Sequence, residues 1–133
     1  MIVIERIEWQ EIKKLCQIVV DQMKVYHERP ILIGIPRNGS LVASIMAFMD
    51  CKVSKYITHD CQFVVDEISD SGVTLENYVS ELIQKHKLET LTAVLYKRHD
   101  CKFEPTVVGR VINHDDYLLM PWENETEIPE KFK

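Results

Sequence analysis

Hydrophobic positions in this chain follow two periods that alternate along its length. Over residues 8–27, Trp9, Ile12, Leu15, Cys16, Val19, Val20 and Met23 recur at helical spacing and give one wide apolar face, closed by Pro30. Residues 31–35, "ILIGI", are apolar throughout and too short for a helix, which predicts a strand buried on both faces. "PRNGS" then reads as a turn and "LVASIMAFM" as a helix capped by Asn38 or Ser40. "KVSKYI" and "QFVVDE" predict two further strands. Leu75, Tyr78, Val79, Leu82, Ile83 and His86 mark an amphipathic helix over residues 73–86. "LTAVLY" (91–96) and "TVVGRVI" after Pro105 complete the strands, and the segment from Asn113 onward reads as irregular. Strands alternating with helices predict an α/β fold with a parallel sheet covered on both faces. Ligands of such sheets bind at the carboxyl ends of the strands, where "PRNGS" and "DEISDSG" both fall.

Composition narrows the partners. The chain has 133 residues and suits one domain, 1–133, with residues 124–133 as an irregular tail. Its net charge is −5 with no basic block, which argues against nucleic acid or an anionic membrane as partner. No apolar run has the length of a membrane span and "MIVIERIEW" does not read as a signal peptide, so a cytoplasmic location is expected. Cys16, Cys51, Cys61 and Cys101 are widely spaced, and in that setting they are expected to be reduced thiols. "HDCQF" at residues 59–63 recurs as "HDCKF" at 99–103; a parallel sheet would place the two at opposite edges, so coincidence is a better reading than zinc.

The chemistry concentrates in "FVVDEISDSGVTL", residues 63–75. Asp66 and Glu67 close a strand, and like charges that near one another need a cationic or hydroxyl-rich partner. They suit a pair of neighbouring hydroxyls. Gly72 lets backbone approach a ligand closely, and the N–H groups of the first helical turn, with the hydroxyls of Ser71 and Thr74, suit a phosphate. Asp70 stands one turn on, where a base would act. Together the loop asks for a ribose 5-phosphate; the plainer alternative is a strand-to-helix turn with a solvated acidic start.

This stretch resembles the phosphoribosyl diphosphate (PRPP) motif of the type I phosphoribosyltransferases. The resemblance implies that Asp66 and Glu67 hold the ribose hydroxyls, directly or indirectly with Mg²⁺, that Ser69, Asp70, Ser71, Gly72, Val73 and Thr74 cradle the 5-phosphate, and that Asp70 is the catalytic base. "IGIPRNGSLVA" resembles the family's diphosphate loop, with Arg37, Asn38 and Gly39 at the matching positions and Asn38 in place of a glycine. "AVLYKR" and "DDYLLMPWE" are similar to the xanthine/guanine/hypoxanthine branch. There Lys97 would meet the purine's exocyclic oxygen, Tyr117 would stack on the ring, the backbone at Leu118 would read its edge, and "PWE" would be structural. The likeness runs from about residue 9 to 123. It implies a single-domain α/β fold whose parallel sheet has a mixed edge, Mg²⁺ as cofactor, PRPP and a purine base as substrates, and a homodimer or homotetramer.

One part of the pattern is missing. The family's long mobile loop would start at "VSKY", yet only "ITHDCQ" separates it from Phe63, a hairpin-sized connection and not a lid. Closure then falls to a neighbouring subunit, the first helix or the C-terminal tail, or the site stays open. Two readings follow: a purine phosphoribosyltransferase, or a PRPP- or nucleotide-binding regulator without catalysis. A metal hydrolase built on His114, Asp115 and Asp116 is a third, with no second ligand cluster beside it.

Overall fold

A computed structural model describes residues 4–132. The chain runs β1 (Ile4–Arg6), α1 (Trp9–Met23), β2 (Ile31–Gly34), α2 (Asn38–Met46), β3 (Lys52–Val53), β4 (Phe63–Ser69), α3 (Val73–His86), β5 (Leu91–Arg98), β6 (Val107–Ile112) and β7 (Tyr117–Leu119). Five strands form one sheet in the order β3-β2-β4-β5-β6, with β4 at its centre. Every pairing is parallel, edges included, so the mixed edge expected from sequence is not found. The chain enters both edge strands by crossing back over the sheet, through α2 to β3 and through residues 99–106 to β6, which imposes the parallel sense.

The apolar periods decide which face each helix covers. On α1, Ile12, Leu15, Cys16, Val19, Val20 and Met23 are buried. They join Val42, Ala43 and Met46 of α2 over Phe63, Val65 and Leu95 in the larger core. Trp9, the one member of the apolar set left half-exposed, leans on Trp122 with ring centroids 5.7 Å apart. On the other face Leu75 and Leu82 of α3 cover Ile33, Val64 and Val94. Gly34 permits the tight turn from β2 into α2, because a Cβ there would stand 2.5 Å from the Gly39 carbonyl.

Four local expectations are corrected. Asn38 and Ser40 do not cap α2; the helix already includes both, and Asn38 spends its amide on Glu67. The strand expected over "KVSKYI" stops at Val53. The connection after it is not a hairpin, because β3 and β4 run parallel with β2 between them. The irregular tail contains β7, which pairs in parallel with β1 through Ile4–Tyr117, Glu5–Leu118 and Arg6–Leu119. The two "HDC" segments lie at opposite ends of the sheet, one leading into β4 and the other following β5.

A polar knot ties this two-stranded hood to the main sheet. Arg110 of β6 donates to Glu5 at 2.6 and 3.1 Å and to Glu11 at 3.0 Å, and the Tyr96 hydroxyl donates to Glu11 at 2.5 Å. The guanidinium holds the Glu5 carboxyl below its ordinary range. Arg110→Leu would leave two carboxylates facing each other without their cation. The knot is about one-third exposed, so the expected loss is ~2 kcal/mol, less than for a fully buried pair, read as a lower urea midpoint with unchanged slope.

Candidate functional site

Asp66 and Glu67 stand near the carboxyl end of the central strand. An Asp66 oxygen accepts the Glu67 backbone N–H at 2.8 Å, and a Glu67 oxygen accepts the Asn38 amide at 2.6 Å. The other Glu67 oxygen, Oε2, is buried with no partner. Burial pushes Asp66 up to about 6, against the pull of that N–H bond. Burial also pushes Glu67 up to about 7, while the Asn38 bond and, more weakly, Arg37 pull down. This is a site short of positive charge and of donors. Gly39 packs onto the same strand so closely that a Cβ would fall 2.5 Å from the Val65 carbonyl and 3.2 Å from an Asp66 oxygen. Of the expected diphosphate trio, Asn38 and Gly39 thus meet the acids, and Arg37 is exposed beside them at the start of α2. The Pro36–Arg37 peptide is cis.

Beyond the acids the chain turns into α3 and leaves a cavity of about 240 Å³, lined by Asp66 through Gly72 and by Thr74 and Leu75. Ser71 and Thr74 are exposed, and Ser71 accepts the Val73 N–H at 3.3 Å. Ser69 lies beneath, buried, 3.1 Å from the Cys101 sulfur. Gly72 has φ +92°, which favours glycine, but its open side faces Phe103 and Cys101. The close approach it allows is therefore to protein as much as to a ligand.

A second cavity, about 300 Å³, shares Glu67, Ile68 and Asp70 with the first. Its other walls include Arg98, Tyr117, Leu118 and Met120. The Tyr117 hydroxyl donates to Glu123 at 2.6 Å, and the other Glu123 oxygen accepts the Met120 N–H at 3.0 Å, so the "PWE" segment fixes the aromatic ring. Lys97 is not brought here. It sits within β5 with its ammonium 2.6 Å from Glu104, while the next residue, Arg98, reaches the cavity. Successive strand residues face opposite sides, so only one of the two cations can do so. Arg98 is 6% exposed, donates to the carbonyls of His114 and Asp116 at 2.9 and 2.8 Å, and lies 3.4 Å from Asp70. Arg98 shares parity along β5 with Tyr96, whose hydroxyl bonds Glu11 of α1, but alternation alone does not say which of the two cations faces the cavity.

The remaining candidates lie elsewhere. His114 uses one ring nitrogen at 2.7 Å from Glu5 and the other to accept the Asp116 N–H, and among the described residues no group of three or more His, Cys, Asp or Glu side chains could hold a metal. A larger cavity, about 480 Å³, opens at the β3 edge between Ser40, Ser44 and Lys55, apart from the acids. Its size counts for less than the buried carboxylates and ordered aromatic of the two smaller ones. In residues 54–62, Ile57 packs on the smaller core and Cys61 is buried, while Lys55, Tyr56 and residues 58–60 are exposed.

No family model matches the chain, and no curated protein matches it. Solved structures do. A purine phosphoribosyltransferase from Pyrococcus horikoshii superposes with a TM-score of 0.78 at 18% identity, over 96% of this chain and 99% of that one. The xanthine-guanine-hypoxanthine phosphoribosyltransferase of Helicobacter pylori gives 0.75 at 18%, over 90% and 94%. A hypothetical protein from Neisseria gonorrhoeae with bound ppGpp gives 0.72 at 18%, over 94% and 92%. The fold is that of the type I phosphoribosyltransferases. Among the described residues no helix is long and apolar enough to cross a membrane.

Two expectations follow from this geometry. Both acids have pKa values raised above their unfolded values, so the native state binds more protons than the unfolded chain and stability falls as pH rises through about 6 and 7. Without ligand, the melting temperature should climb on going from pH 8 to pH 5.5. Glu67→Gln should flatten that climb and raise the pH 8 melting temperature by a few degrees, ~1 kcal/mol. Gly39→Ala should lower the melting temperature strongly, by ~2 kcal/mol or more, because the atom its Cβ meets most closely is the backbone carbonyl of Val65.

Proposed function

We propose that this chain is a purine phosphoribosyltransferase, moving the 5-phosphoribosyl group of PRPP to guanine, xanthine or hypoxanthine with release of diphosphate. The observation that carries the reading is the shared rim. Glu67 and Asp70 border both the cradle at the start of α3 and the aromatic-walled cavity beside Tyr117, so one ligand with phosphate, diol and base can span the two. In this reading residues 69–74 hold the 5-phosphate, and Asp66 and Glu67 hold the ribose hydroxyls. Arg37, with the backbone at Asn38 and Gly39, receives the departing diphosphate. Tyr117 covers the base, Leu118 reads its edge, and Arg98, not Lys97, faces its exocyclic oxygen. Asp70 takes the ring N7 proton as the new bond forms, and the neighbouring Arg98 guanidinium stabilises its charge.

The buried, unpartnered Glu67 oxygen and the raised acids fit a divalent cation, with Asp66 and Glu67 as the residues that would hold it. Two carboxylates leave most of its coordination to substrate oxygens and water. Mg²⁺, when bound, offsets the charge of the leaving diphosphate. A homodimer or homotetramer in the cytoplasm belongs to the same reading. The second reading, a nucleotide-binding regulator, is favoured by one observation, the short connection over residues 54–62 between β3 and β4.

Incubation with PRPP, Mg²⁺ and each base, followed by product analysis, separates the two: nucleoside monophosphate is expected, and tight PRPP binding without product selects the regulator. Asp70→Asn should cut turnover ~100-fold and leave PRPP affinity within about two-fold, since Asp70 is exposed and serves the base end. Equal loss of both would remove Asp70 from the base role.

A further inference from the structure

The cavity beside Tyr117 has one wall that belongs to none of the sequence motifs. Pro129, Lys131 and Phe132, at the end of the described chain, line it together with Arg98 and Asp70. The Phe132 ring centroid lies 5.3 Å from that of Tyr117, with the planes inclined at 53°. The two rings pack directly on each other, and the cavity that both line keeps about 300 Å³ open. A purine is flat, apolar on both faces and polar around its edge. Ile68, Leu118 and Met120 give the cavity apolar lining of its own, but outside the tail Tyr117 is its one aromatic wall.

We propose that residues 125–132 are the cover of the base pocket, with Phe132 as the second aromatic wall facing the purine ring and Tyr117 as the first. This rests on the function proposed above and adds to it a residue that positions the base.

The attachment of the tail suits a cover that must open. Ile128 is its one buried side chain, Phe132 rests on Tyr117, and the ion pair between Arg6 and Glu125 lies at the surface. Local turns shape it, through bonds from Glu127 N–H to Asn124 at 2.9 Å and from Phe132 N–H to Pro129 at 3.0 Å. Segments fastened by so few buried contacts open at low cost while the core stays folded. On the other side of the site the connection from β3 to β4 is short, with Ile57 packed on the smaller core and Cys61 buried. The ion pair also links cover to hood: Arg6 ends β1, whose partner β7 carries Tyr117. Both aromatic walls therefore hang from the same two-stranded unit.

The test is calorimetric binding of GMP and, separately, of PRPP, each with Mg²⁺, to the full chain, to Phe132→Ala, to Phe132→Trp and to a chain stopped after Pro129. PRPP has no base and does not touch the second wall. GMP affinity should fall ~10-fold in Phe132→Ala and in the shortened chain, as expected for a lost aromatic contact, and hold in Phe132→Trp, while PRPP affinity stays within about two-fold throughout. Unchanged GMP affinity would overturn the proposal, as would tighter GMP binding, which would make the tail an obstruction, or equal loss for GMP and PRPP, which would make it a structural prop. A full chain that binds PRPP but no purine nucleotide would instead overturn the purine reading, and the cover with it.

Discussion

Two half-buried carboxylates near the end of the central strand constrain everything around them. Asp66 and Glu67 are neighbours on β4, and burial raises both. Each unit of such a shift is worth ~1.4 kcal/mol of disfavoured charge, so the pair weakens the ligand-free fold. The surrounding backbone is arranged to keep them there. Gly39 brings α2 against β4 closer than any side chain would permit, and Asn38 satisfies one Glu67 oxygen while the other stays unmet. A core strand has no structural use for such an arrangement, and hydrophobic residues there would pack at lower cost.

The second constraint comes from the two ends of the chain. β1 and β7 pair away from the main sheet, and the hood they form returns to it through Glu5, Arg110 and Glu11. His114 joins the same knot through Glu5, and its carbonyl, with that of Asp116, grips the Arg98 guanidinium. Arg98 in turn lies beside Asp70. A line of hydrogen bonds thus runs from the first described strand to the rim between the two cavities. Arg98 is fixed by two carbonyls and a carboxylate, which leaves a buried cation aimed at one place in the site.

What the sequence conveyed follows from how local each signal is. The helix over Val73–His86 was legible to the residue, because a glycine precedes it and its apolar spacing is regular. The strands through Ile31, Phe63 and Leu91 were legible as short apolar runs, though β4 runs past Glu67 to Ser69, paired there with β5 alone, and β5 runs past Tyr96 to Arg98, with Lys97 paired to both Ser69 and Val111. The acids and the small residues after them line one cavity, and Glu67, Asp70 and Tyr117 line the one adjoining it. Three features were not legible. β7 is three residues long and its partner stands at the opposite end of the chain, so no local period announces it. The choice of Arg98 over Lys97 depends on which side of β5 the hood occupies. The seat of Phe132 against Tyr117 depends on Ile128 and Arg6, and no motif joins those residues.

The raised acids also bear on how a ligand would be gripped. With values near 6 and 7, the pair holds a share of its protons at neutral pH. A divalent cation or a set of hydroxyl donors stabilises the ionised forms, so binding in the proposed mode expels protons and recovers part of the free energy stored by burial. The gain arises only where the ligand meets Asp66 and Glu67, at the ribose. Phosphate and base contacts at either side add to it but do not replace it. In the proposed mode, recognition would therefore be weighted toward the atoms next to the bond that breaks, which is where interaction energy can be turned to catalysis instead of plain affinity.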